Sequence, residues 1–163
     1  MTKREIPLIF MGFAGFVMLF MREGAAVWRA FLFLYAWGVV FETVTQNLWK
    51  YHREVGRSRF SVPQTDINML VPFGWVFIAA GASFLSSCFW QYVLFTGLIG
   101  CIVELVFHNL KCWEYDLNEK FMGLFRPYLP KITFLGVPVQ ILVSYFVVIG
   151  PVVWFIMEKL LVS

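Results

Sequence analysis

The chain has 163 residues, 60% of them hydrophobic, 20% aromatic and only 14% charged, with a mean hydropathy of +0.75. A soluble domain of this length cannot hide so much apolar surface, so the composition excludes a water-soluble globular fold and predicts lipid as the solvent. The net charge of +3 does not indicate a nucleic-acid partner, because in a membrane protein the placement of basic residues matters more than their sum.

Five apolar segments follow one another: roughly 6–21, 26–48, 67–87, 88–110 and 132–157. Most meet the requirement of ~20 residues for a spanning helix. The first follows a basic start, as a signal peptide does, but it is bulky, has no small-x-small cleavage site, and is read as a retained first span. A tight turn is predicted near Ser86-Ser87. With the N-terminus inside, ten of the 13 Lys and Arg fall in inner segments, and only Arg22, Arg29 and Lys159 fall outside. That asymmetry is the positive-inside pattern, and the expected localisation is the cell membrane. Trp28, Trp90 and Trp154 mark one interface, and Trp49 and Trp113 the other. Arg29 reads as an interface snorkeller. The predicted fold is all-α and polytopic: five transmembrane helices, N-in and C-out, in a single domain of residues 1–163.

In the second inner connector, DLNEKFMGLFRPYLP places Leu117, Phe121, Leu124 and Phe125 on one helical face. Asp116 and Glu119 resemble a capping box. A short helix on the inner leaflet is expected, stopped by Pro127; an amphipathic connector packed on the bundle fits the same pattern.

Shifted by 62 residues, WRAFLFLYAWGVVFETVTQNL (28–48) lies over WQYVLFTGLIGCIVELVFHNL (90–110). Eight of 21 positions are identical, among them Trp28/Trp90, Gly38/Gly100, Glu42/Glu104 and Asn47/Asn109, and apolar composition alone does not supply such residues. Each copy is followed by an inner connector and a span bearing Val-Pro, at Val71-Pro72 and Val137-Pro138. The expected architecture is therefore a lead span (1–25) and two parallel helix pairs, 26–87 and 88–163, related by a pseudo-twofold along the membrane normal.

Both copies carry GxxxExVx[QH]NL. Glycine and glutamate four residues apart share a helix face, and the glycine lets a neighbouring helix or ligand approach the carboxyl closely. Each Glu lies ~20 Å below its outer Trp at ~1.5 Å per residue, deep enough to make ionisation costly. Glu42 and Glu104 are the candidate catalytic residues, sharing a proton or pairing with His108 or Lys111. Gly38, Gln46, Asn47, Gly100, His108, Asn109, Trp113 and Tyr115 are candidate ligand contacts. Each has a structural reading beside the functional one: polar residues also stitch helices together, and the two Asn suit helix ends. Cys88, Cys101 and Cys112 contain no CxxC pair, and 88 and 112 lie too far apart along one helix to bridge. His52 and His108 lack partners at zinc-ligand spacing. No metal site, no cofactor and no nucleic-acid partner is expected.

Glu104, followed by Trp113-Glu114-Tyr115 and then Gly136-Val137-Pro138, resembles membrane-embedded carotenoid-biosynthesis proteins, the polytopic hydratases and cyclases of isoprenoid chains. The chain departs from that pattern by lacking the glycine and tyrosine expected before the aromatic pair, and it is short for the family. It is also similar to small uncharacterised five-span bacterial proteins. The first resemblance implies intramembrane carboxylates that protonate a carbon–carbon double bond.

Three functions fit these expectations. One is an intramembrane protein that binds an isoprenoid or other lipid-like ligand in a cleft between the repeats, with acid–base chemistry by the paired Glu. Another is a proton- or cation-coupled transporter or channel subunit, which in five spans implies a homo-oligomer or larger membrane complex. The last is an accessory subunit packed against partner helices. Membrane lipids are partners in all three.

Overall fold

The structure, a computed structural model, describes residues 5–49, 52–54, 60–62, 68–115 and 132–161, with backbone alone at 45–49, 52–54 and 113–114. Helix α1 (Glu5–Glu23) turns through a 3₁₀ segment, Gly24–Ala26, into α2 (Val27–Trp49). Gly24 has φ +56°, a left-handed conformation that glycine adopts without a Cβ clash. Then come α3 (Val71–Leu85), α4 (Phe89–Asn109) and a last helix, α5 (Val139–Leu160).

Three helical runs are long and apolar enough to cross a membrane: Glu5–Val44, which contains the turn at Gly24, then Phe89–Asn109 and Val139–Leu160. Helix α3 is apolar but shorter, at 15 residues. It starts later than the expected 67 because Asn68 forms a turn, its side-chain Oδ1 accepting from the Leu70 N–H at 2.9 Å, before Pro72 enters the first helical turn, where its missing N–H costs nothing. The predicted tight turn is present: Ser86 and Cys88 are extended. The Ser87 N–H donates to Gln91 Oε1 at 2.7 Å.

Glycines set the packing. Gly12 and Gly15 of α1 face Phe73 and Phe77 of α3, so these helices run parallel. Phe16 of α1 and Phe31 of α2 meet with ring centroids 5.5 Å apart, so α2 turns back along α1 and runs antiparallel to α3. Gly38 of α2 faces Pro72 and Trp75, and Tyr35 donates to the Met69 carbonyl at 2.9 Å. Gly97 and Gly100 of α4 face Phe146 and Tyr145, while Gly150 of α5 meets Val93; α4 and α5 are also antiparallel. Large apolar side chains remain outside on every long helix, among them Phe10, Phe13, Leu32, Trp90, Ile102 and Val147. Helices apolar on both their packed and outward sides are compatible with a membrane protein.

The all-α expectation needs two additions, both at one end of the bundle. Strands β1 (His52–Glu54) and β2 (Trp113–Tyr115) pair antiparallel, His52 opposite Tyr115. Strands β3 (Thr133–Phe134) and β4 (Val137–Pro138) form a hairpin ahead of α5, which is why α5 starts at 139 and not at 132. The hairpin turns on Leu135 (φ 49°) and Gly136 (φ 84°), the two left-handed residues of a type I′ turn.

Helix α5 is not regular. A π-helical turn spans Tyr145–Ile149, with the Gly150 N–H donating to the Tyr145 carbonyl five residues back. Pro151 follows, and its ring would clash with a carbonyl four residues earlier in a regular helix; the wider turn relieves this. The helix expected within 116–127 lies outside the described residues.

At the opposite end of the bundle from the strands, Arg22 ties four helices together. Its Nη1 donates to the Ser83 carbonyl at 2.8 Å and to the Tyr92 hydroxyl at 2.6 Å, and its Nη2 pairs with Glu158. Tyr92 in turn donates to Glu158. Arg29 is exposed and donates to the Leu161 carbonyl at 2.8 Å, a cation at a helix C-terminus, where the dipole favours it.

Candidate functional site

Glu42 and Glu104 are 4% and 8% exposed. A carboxyl at that depth needs hydrogen-bond donors, and the neighbouring helices supply aromatic ones. Trp75 Nε1 donates to Glu42 Oε1 at 2.7 Å. Tyr145 donates to Glu104 Oε1 at 2.7 Å, and Tyr115 donates to Glu104 Oε2. Each oxygen of Glu104 thus accepts from one tyrosine hydroxyl.

The glycine of the GxxxE motif has a specific task in both places. An added Cβ at Gly38 would lie 3.2 Å from Pro72 Cα and from Trp75 Cβ. One at Gly100 would run into the Tyr145 ring. In each case the glycine admits an aromatic residue from the next helix, and that residue's polar atom reaches the Glu one turn along. Helices α3 and α5 meet ring to ring here, because Trp75 and Tyr145 stack with centroids 5.7 Å apart and planes 26° apart.

Both carboxyls wall one cavity of about 30 Å³, lined also by Leu8, Val71, Gly74, Trp75, Ile78, Val103, Tyr115 and Tyr145. This is where α1 to α5 and β2 converge, toward the strand-bearing end. Its volume has room for one or two waters. The walls are apolar apart from the two acids and the polar ends of the three aromatic residues.

The other candidates separate clearly. Gly38, Gly100 and Tyr115 build the site. His108 does not line the cavity: its ring sits against Gly136 and 5.5 Å from the Tyr115 ring, and its Nδ1 is buried without a hydrogen-bond partner among the described residues. Asn109 is exposed and donates to its own helix, to the Leu105 carbonyl at 2.7 Å, the helix-end role. The side chains of Gln46, Asn47 and Trp113 lie outside the described ones. Among the described residues no cluster of three or more His, Cys, Asp or Glu is placed to hold a metal.

Trp75, Tyr145 and Leu8 were not expected at the site. The available signal was a polar aromatic inside an apolar span: Tyr145 stands alone in VQILVSYFVVIG, and Trp75 lies one turn after Val71-Pro72. No protein-family model, curated protein or solved structure matches the chain, so the site itself must carry the functional argument.

Proposed function

We propose that the chain is a five-span membrane protein, a lead helix and two repeated helix pairs, that takes up and passes a proton at the Glu42–Glu104 pair as a transporter or channel subunit. One observation carries this reading: two buried carboxyls wall a single cavity sized for one or two waters. Intramembrane acids mark ion and proton paths. The repeat is supported by the matched Gly38–Trp75–Glu42 and Gly100–Tyr145–Glu104 arrangements. The pairing of β1 with β2 adds to it, since each strand follows the equivalent helix of its own copy.

The isoprenoid or lipid-like ligand, with a Glu protonating an alkene, is the second reading. The apolar walls at Leu8, Val71, Ile78 and Val103 favour it. It requires those walls to part, because the cavity is far smaller than the ~300 Å³ at which small-molecule pockets begin.

Proteoliposomes under a potassium diffusion potential, with a pH dye inside, test the proton reading. The parent protein should move protons faster than empty vesicles. Glu42→Gln and Glu104→Gln should each slow this by roughly 100-fold, the scale of losing a proton-transferring side chain. A parent no faster than empty vesicles, or variants as fast as the parent, would sink the reading.

Topology has its own expected result. Single cysteines placed in 50–59 and 111–131 of a cysteine-free background should label from the cytoplasmic side, and one at Ser163 from the other. Lys120 and Ser163 reporting on the same side would refute the five spans.

A further inference from the structure

Glu42 and Glu104 are buried, so whatever they exchange or bind reaches them only when one wall of the cavity parts. The walls differ in how firmly they are held. Among the described residues, every one that lines the cavity lies on a helix except Tyr115, which lies on β2. The helical walls are packed into one another. Tyr145 is buried, fills the space above Gly100 and stacks on Trp75, and Trp75 is tied to Glu42. Parting those helices means unpacking the core.

The wall at Tyr115 is held by much less. After α4 the chain is pinned as far as Cys112, which is buried and donates its N–H to the Phe107 carbonyl at 2.9 Å. Beyond it, the three residues of β2 each face one residue of β1, and these two strands form a sheet of their own. An isolated two-stranded ribbon is marginally stable in water, and local opening takes place where least is buried. Tyr115 is only half-buried. Its ring packs at the edge of the core, and its hydroxyl donates to Glu104 Oε2, which ties the ribbon to the carboxyl pair.

We propose that the β1–β2 ribbon is a door on the cavity and that Tyr115 is its latch. The ring covers the carboxyls from the strand-bearing end. A proton, a water or a small ligand reaches them when the hydroxyl leaves Glu104 and the ring swings out. This rests on the reading of Glu42 and Glu104 as a working pair, and it supplies the parting wall that both readings of the pair need. Tyr115 and Tyr145 therefore differ in role, although each gives one hydrogen bond to the same acid. Tyr145 positions Glu104 from within the bundle. Tyr115 decides when Glu104 can be reached.

The test reads accessibility and needs no proton movement. Full-length protein in detergent is treated with a water-soluble carbodiimide and glycine ethyl ester, and the amide formed at each Glu is followed by mass spectrometry. Tyr115→Phe should raise the rate at Glu104 roughly 5- to 10-fold over the parent, the shift in an opening equilibrium that follows from one lost hydrogen bond. Tyr115→Ala, which also removes the ring, should raise it further. Tyr145→Phe takes a hydrogen bond from the same acid, so it carries the same change in the acid's own reactivity, yet it should label at the parent rate. Equal rates in Tyr115→Phe and Tyr145→Phe would make both tyrosines fasteners and overturn the latch. A parallel rise at Glu5, a buried acid at the start of α1, would mean that the bundle had loosened as a whole, and would overturn it too. In sealed vesicles of one orientation, Glu104 of Tyr115→Ala should react only from the face that carries the exposed Lys111; reaction from the opposite face would refute the position of the door. A parent that moves no protons while Tyr115→Phe labels faster keeps the door and removes the proton reading. A parent that moves protons while the two Phe variants label alike keeps the reading and removes the door.

Discussion

Gly100→Ala should weaken the bundle more than any other single glycine-to-alanine change at the site. In a helix this change is otherwise favourable by ~1 kcal/mol. Here the new Cβ would occupy the place of the Tyr145 ring, an aromatic held on its other face by Trp75. The ring must move, and forcing extra bulk into a packed interior costs ~1–3 kcal/mol. The displaced hydroxyl also leaves Glu104 Oε1, adding ~1 kcal/mol or more for a lost buried hydrogen bond. Two comparisons calibrate the result. At Gly38 the contacts are 3.2 Å to Pro72 and Trp75, so Gly38→Ala should cost less. At Gly74 the nearest atom is Met11 Cε at 3.6 Å, so Gly74→Ala should be neutral or stabilising. Thermal unfolding in detergent should rank the parent above Gly38→Ala, and Gly38→Ala above Gly100→Ala. A Gly100→Ala protein as stable as the parent would mean that Tyr145 is not seated as described.

The same glycines show how far the sequence was legible. Gly38 with Glu42, and Gly100 with Glu104, were visible because a shift of 62 residues repeats them, and helical spacing puts each pair on one face. What fills the space above each glycine was not visible. Trp75 and Tyr145 sit at unrelated positions in their own helices, and nothing local links them to an acid on another helix. Leu8 reached the cavity through tertiary packing: α1 buries Glu5, Leu8, Gly12, Gly15 and Leu19 as one stripe, and that periodicity was there to be read. The β3–β4 hairpin was hidden because its turn is Leu135-Gly136 and not the Asn-Gly or Asp-Gly that marks type I′ turns in sequence. The pairing of β1 with β2 joins three-residue segments of polar connectors, too short to show an alternating pattern. The π-helical turn, by contrast, has a cue in Gly150-Pro151.

Glu104→Leu should be the most damaging change at the carboxyl pair, and its partners explain why. Both carboxyl oxygens accept from tyrosines, Oε1 from Tyr145 and Oε2 from Tyr115. Leucine removes both acceptors and strands two hydroxyls in an apolar wall, at ~1–3 kcal/mol for each unsatisfied group. Glutamine keeps one acceptor and turns an amide N–H₂ toward the other hydroxyl, so Glu104→Gln should cost about half as much. Tyr145→Phe should cost ~1 kcal/mol for one hydrogen bond. In the double variant Glu104→Leu with Tyr145→Phe, the stranded Tyr145 hydroxyl is gone, so its cost should fall short of the sum of the singles by ~0.5–3 kcal/mol, as for residues in contact. Melting temperature in detergent gives the stability side of this cycle, and proton movement in vesicles gives the functional side. The two readouts separate the roles of the acid. If Glu104 only fastens helices, Glu104→Gln loses stability and movement in proportion, and Tyr145→Phe does the same. If Glu104 carries the proton, Glu104→Gln abolishes movement while costing less stability than Glu104→Leu. Tyr145→Phe then keeps most of the movement, because the carboxyl that binds and releases the proton is still there.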